Sequence, residues 1–102
     1  MGVYKLIFAS DFFEDLEKAA QYYEEISIEI EYRFRVAVND QVKLLKENPL
    51  VKSIRYDDVR FARVENFRYA IHYSADEINL EVSIFRLLSD YQNPDKYWQK
   101  RW

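Results

Sequence analysis

Residues 59–89, VRFARVENFRYAIHYSADEINLEVSIFRLLS, constrain this chain more than any other stretch. Two turn signals divide it into three apolar runs. Glu65 and Asn66 separate residues 59–64 from 67–73. Ala75, Asp76, Glu77 and Asn79 separate 67–73 from 80–88. The runs are rich in β-branched and aromatic residues and the gaps are short, which predicts an antiparallel meander. Side chains alternate along a strand. In the middle run Tyr69, Ile71 and Tyr73 share one face, and Arg68, Ala70, His72 and Ser74 the other. In the last run Leu80, Val82 and Ile84 point one way, and Glu81, Ser83 and Phe85 the other. One face is apolar and the other mixed, the pattern of a sheet covered on one side.

The cover is expected from upstream. Residues 3–9, VYKLIFA, alternate Tyr4, Leu6 and Phe8 against Val3, Lys5 and Ile7, as in a first strand. Ser10 or Asp11 then caps a helix, with Glu14 at capping-box spacing from Asp11. That helix runs to about Ile26, with Phe13, Leu16, Ala20, Tyr23 and Ile26 or Ile28 as its apolar positions. Ser27 breaks and recaps the chain. A second helix follows over residues 28–47, with Ile30, Phe34, Ala37 or Val38, and Leu45 as its apolar line, broadened by Val42 and Leu44. Asn48-Pro49 stops it. Two helices so closely joined predict a hairpin packed on the sheet. Beyond it lie a connector, a short strand at 54–56, a turn at Asp57-Asp58, and the meander. Asn93-Pro94 opens a last short helix through Trp98. The whole is one α+β domain spanning residues 1–102.

Composition removes several function classes. With one Gly there is no Gly-rich phosphate loop, and with no Cys there is neither disulfide nor thiolate metal site. No run resembles a signal peptide or spans a membrane, so the expectation is a cytoplasmic protein with no membrane partner. Residues 1–51 carry six basic and ten acidic side chains, and residues 52–102 nine and eight. The helical half is acidic and the sheet half locally basic. That excess is too small for non-specific nucleic-acid binding, though it leaves room for a basic site facing RNA or an acidic partner.

A single His excludes two-His zinc motifs, and no G-x-S-x-G is present. No cofactor and no metal is expected. Asp57-Asp58 and Asp76-Glu77 read as solvated turn residues. The chemically interesting set is basic: Arg68 and His72 on one strand face, with Arg63 and Arg86 on the neighbouring strands. Such a cluster suits a phosphodiester and its developing charge, with His72 transferring protons near neutral pH. The simpler reading is that these arginines line the solvent side of the sheet and pair with Glu65 and Glu81, and that His72 is structural. Sequence favours the simpler reading. Most aromatics fall on apolar faces and read as core. Tyr97, Trp98 and Trp102 end the chain, where they cover a sheet edge or meet a partner.

The chain resembles the RelE/ParE toxins of type II toxin–antitoxin pairs, the plasmid-stabilisation class of bacterial toxins, over nearly its whole length. The resemblance rests on the element order and on local features. These are YKLIFASDFFEDLEKAAQYYEE, with its D-L-x-x-A-x-x-Y-Y segment; the helix end KENPL; the strand VRFARVENFRYAIHY; and QNPDKYW near the end. It implies a small α+β domain that inhibits growth until an antitoxin wraps it. RelE-like members cut mRNA on the ribosome without a metal, and ParE-like members block DNA gyrase. The cutting branch places an Arg directly after the Tyr of the middle strand; here Tyr69 is followed by Ala70. It places a second Arg past the last strand, where this chain reaches Asp90 or its neighbours Ser89 and Tyr91. Arg63 matches a basic residue on the preceding strand, and Tyr97 roughly matches the C-terminal Tyr. An Asp where the transition state needs positive charge is repulsive.

The resemblance therefore implies a ParE-like toxin that binds a protein target such as DNA gyrase. The alternatives are a ribosome-dependent endoribonuclease using Arg63, Arg68, His72 and Arg86, and a degenerate, non-toxic family member. Target- or antitoxin-contacting candidates are Arg60, Tyr91, Tyr97 and Trp98. The partners expected are a cognate antitoxin and either gyrase or the ribosome; the sequence is equally compatible with a homodimer.

Overall fold

The computed structural model describes residues 3–89. The elements are β1 (Lys5–Phe8), α1 (Ser10–Ile26), α2 (Ile28–Glu47), β2 (Ile54–Tyr56), β3 (Val59–Arg63), β4 (Tyr69–Asp76) and β5 (Glu81–Ser89). The strands form one five-stranded sheet in the order β1-β5-β4-β3-β2. The α+β hairpin-on-sheet architecture and the meander β3-β4-β5 are as expected from the sequence. The expected C-terminal helix lies outside the described residues.

Turn chemistry sets the meander. Asn66 occupies the left-handed region at φ 70°, which Asn tolerates, and closes the β3–β4 connection. At the next turn the Asp76 carboxylate accepts hydrogen bonds from the Ile78 and Asn79 amides at 3.0 and 3.1 Å. Leu80 then takes φ 55°, and its carbonyl accepts the Lys5 amide at 2.8 Å. Leu80 thus belongs to the turn and is exposed, rather than lining up inward with Val82 and Ile84. The β1 strand runs parallel to β5, with Leu6 beside Val82 and Phe8 beside Ile84. The chain between them, the helical hairpin followed by β2, β3 and β4, is long enough for the crossover that a parallel pair requires.

Ser27 ends α1 and caps α2 as its spacing predicts: its hydroxyl accepts the Glu29 and Ile30 amides. The start of α1 differs from expectation. Ala9 is the cap residue and no side chain caps it, so the Asp11–Glu14 box does not form. The Ala9 amide donates instead to the Ile84 carbonyl at 2.9 Å, so the chain passes straight from the sheet into the helix. The stripe of α1 also differs at its ends, where Phe12 takes the place of Phe13, while Leu16, Ala20 and Tyr23 face inward as expected. Phe12, Ala19 and Ala20 are buried with Leu16 and Tyr23 packed beside them, while Phe13 and Ile26 are exposed. Phe8 touches both rings, 5.5 Å from Phe12 and 5.2 Å from Phe13, so that contact does not choose between them; Phe12 is the one enclosed by the core.

The main core joins Phe34, Val38 and Leu45 of α2 to Ala62, Ile71, Tyr73, Val82, Ile84 and Leu87 of the sheet. The rings of Tyr23, Phe34, Phe67 and Tyr69 meet around Phe34 at 4.9 to 5.4 Å. Leu87 reaches this face because a bulge between His72 and Tyr73 in the β4–β5 register leaves Phe85 as the extra residue. The bulge reverses the alternation that Val82 and Ile84 begin.

Candidate functional site: the far face of the sheet

The face of the sheet turned away from the helices carries its own small apolar cluster: Val59, Phe61 and Ala70, with Tyr56 and Phe85 packed against it. Its origin is the alternation of β3, where Val59 and Phe61 face this way while Ala62 and Val64 enter the main core. His72 lies in the middle. It pairs in register with Phe61 on one side and Arg86 on the other. The imidazole is fully buried, 4.0 Å from the Phe61 ring and tilted 30° to it. The Arg55 guanidinium lies over the same Phe61 ring, 4.7 Å from its centre. Burial, and then the positive charges of Arg86 and Arg55, push the His72 pKa down to about 3. At neutral pH the ring is therefore the neutral imidazole, with no imidazolium proton to give as a general acid, and it is a poor base.

Arg86 is held from the helix side. Its Nε and Nη2 donate to Asp15 of α1 at 2.7 and 3.0 Å. The same carboxylate accepts the Leu87 amide at 3.0 Å. The reason is topological: β1 pairs with β5 only as far as Ile84, so the outer edge of β5 beyond it needs another acceptor. Asp15 supplies that acceptor and a counter-charge together, in a pair whose side chains are 18% and 10% exposed.

The other basic candidates stand elsewhere. Arg63 is exposed and sits in register with Ala70, itself 6% exposed. Arg68 is exposed and precedes β4; with Tyr22 and Tyr23 of α1, Tyr69 and Ser89 it lines a cleft of about 370 Å³. Arg60 faces the helix side, opposite Tyr73. Its Nη1 donates to the Lys52 and Leu50 carbonyls, and the Tyr73 hydroxyl donates to the Pro49 carbonyl at 2.6 Å. Together they tie the α2–β2 connector to the sheet.

The structure thus brings His72 and Arg86 side by side, puts Arg63 beside Ala70, and sets Arg68 at the mouth of a tyrosine cleft. Tyr91, Tyr97 and Trp98, like Asp90, lie outside the described residues. Sequence reasoning missed Asp15, which looks like one more solvated helix carboxylate; nothing local marks its contact with β5. Among the described residues, no group of three His, Cys, Asp or Glu side chains is placed to hold a metal ion. No described helix is long and apolar enough to cross a membrane.

No protein-family model matches the chain, and no curated protein matches it in sequence. Its fold is that of the RelE/ParE toxins. The chain is similar to one in the chromosomal ParDE toxin–antitoxin system from P. aeruginosa, with TM-score 0.69 and 18% identity over 85% of this chain and 96% of that one. It is also similar to a chain of the RelBE2 toxin–antitoxin complex from Mycobacterium tuberculosis, with TM-score 0.62 and 23% identity over 90% and 97%. A chain of the archaeal RelE–RelB complex from Pyrococcus horikoshii OT3 aligns at TM-score 0.51 and 17% identity over 90% and 100%.

Proposed function

We propose that this chain is the toxin of a type II toxin–antitoxin pair and works in the ParE manner. It inhibits growth by binding a protein target such as DNA gyrase, and a cognate antitoxin neutralises it. Support for the pairing is that the structural neighbours above come from toxin–antitoxin complexes. The observation that carries the choice of branch is Ala70. It stands where the RNA-cutting branch has an arginine, and it is buried in the apolar cluster of Val59 and Phe61. Its nearest basic neighbours on β4 and β5 do not make good the loss. Arg86 is engaged by Asp15, and His72 is buried and neutral. The reading requires no cofactor.

The test is induced expression of the chain alone in a bacterial host, with mRNA 5′-end mapping, followed by a supercoiling assay with purified protein. Growth arrest with intact mRNA and inhibited gyrase is the expected result. Arrest with intact mRNA and unaffected gyrase would replace the target. A second reading, the ribosome-dependent endoribonuclease, has one supporting feature: Arg68 at the rim of the cleft lined by Tyr22 and Tyr69. Codon-positioned cleavage that disappears in Arg68→Ala would establish it in place of the first. No arrest would point to a non-toxic member.

A further inference from the structure

The solvent face of α2 is apolar where a surface helix is normally polar. Ile28, Tyr32 and Val36 follow one another at four-residue spacing, so they form one stripe along the helix. They are 74%, 66% and 39% exposed. The core face of the same helix, through Phe34, Val38 and Leu45, is already satisfied. Among the described residues, the stripe is not part of the hydrophobic core.

The charges beside the stripe have an order of their own. Residues 28–36 read Ile-Glu-Ile-Glu-Tyr-Arg-Phe-Arg-Val. Both acidic residues precede Tyr32 and both basic residues follow it, at matching distances. Helical spacing puts Glu29 and Arg33 on one flank of the stripe and Glu31 and Arg35 on the other. Within the chain Arg33 bonds Glu29 at 2.8 Å, both side chains being largely exposed. Arg35 bonds Glu31 and, at 3.0 Å, Glu17 of α1. The Glu29–Arg33 pair is exposed on both sides, and such a pair stabilises a helix little, so re-pairing it costs little.

We propose that this face is a self-association surface, on which a second copy of the chain packs its α2 antiparallel about a two-fold axis through Tyr32. The axis reverses the helix and lays the acidic half of one copy on the basic half of the other. Tyr32 meets Tyr32 of the second copy, Ile28 meets Val36, and Glu29 meets Arg33. A parallel arrangement would set like charges together. Self-complementarity of one patch is what a two-fold contact requires, and this charge order supplies it. The contact is one helical stripe, far smaller than an obligate interface, and gives a weak dimer. The inference is independent of the toxin reading.

The test is sedimentation equilibrium of the purified chain up to about 1 mM, where a dissociation constant of that size would leave half the chains dimeric. The wild type is expected to dimerise, and Tyr32→Ala to abolish the dimer. Glu29→Arg and Arg33→Glu, each alone, are expected to be monomeric. Mixed in equal amounts, those two should form a heterodimer, because each then meets its opposite charge. All three positions are exposed, and unchanged melting temperatures would show that folding is intact. A monomeric wild type, or a dimer indifferent to these changes, would overturn the proposal and leave the stripe to a different protein.

Discussion

On the helix side of the sheet, Phe34, Ile71, Tyr73, Val82 and Ile84 are wholly buried between two layers. On the far side Val59, Phe61 and Ala70 make a shallower cluster from strand residues alone, among the described residues, with a fully buried His72 in its midst. The first surface is a core in the ordinary sense: two-layer burial and aromatic interlocking of apolar side chains. The second mixes a small apolar cluster with Arg55, Arg86 and an imidazole kept uncharged by burial first and then by their charges. The difference teaches that burial at a candidate site is not evidence of chemistry. His72 is buried because the strand pairing places Phe61 and Arg86 on either side of it.

Truncation on the two faces should break the comparison most sharply. Phe34→Ala removes the ring on which Tyr23, Phe67 and Tyr69 converge and should cost about 4 kcal/mol in urea unfolding. Phe61→Ala, on the thinner cluster, should cost roughly half as much, because its surroundings can collapse into the gap. Equal losses would mean that the far face is as fully packed as the near one.

Asp15 links the faces, since it reaches from α1 to Arg86 and to the Leu87 amide. Asp15→Ala should destabilise by roughly 3 kcal/mol, because it strands a mostly buried guanidinium and an edge amide. Asp15→Asn keeps an acceptor for the amide and should lose less. Thermal melts of both variants, read against each other, separate the charge from the hydrogen bond.

The smallest effect is a pH dependence. The folded-state pKa of His72, about 3, lies below its ordinary value of 6.5. Between those values the unfolded chain binds the proton and the folded chain does not. Its contribution is therefore full above pH 6.5 and falls away as the pH drops toward 3. From about pH 7.5 to about pH 5 the wild type should lose about 2 kcal/mol that His72→Gln does not lose. Parallel slopes for the two proteins would place His72 in contact with water.

Much of the fold was legible because its determinants are local. Ser27 caps α2 through its own hydroxyl, Asn66 closes its turn through a backbone conformation it tolerates, and Asp76 folds the next turn with its carboxylate. The alternation of β4 placed Tyr69, Ile71 and Tyr73 against the helices. The candidate site was less legible. Arg68 and His72 share a parity in sequence, yet Arg68 precedes the strand and borders Tyr22 and Tyr23 of α1, while His72 is sealed beneath Phe61. Parity fixes a direction only inside a regular strand.

By itself, then, the sequence determined the elements, their turns, the caps that side chains provide and the face of the meander that meets the helices. These follow from periods and hydrogen bonds acting over a few residues. Tertiary structure alone decided the rest. It set β1 parallel to β5, chose Phe12 over Phe13 as the inward ring, placed the bulge at Phe85 that returns Leu87 to the core, and joined Asp15 to Arg86. That last pair lies 71 residues apart in the chain. Such contacts depend on which surfaces remain unpaired once the elements meet, and no local pattern encodes that remainder.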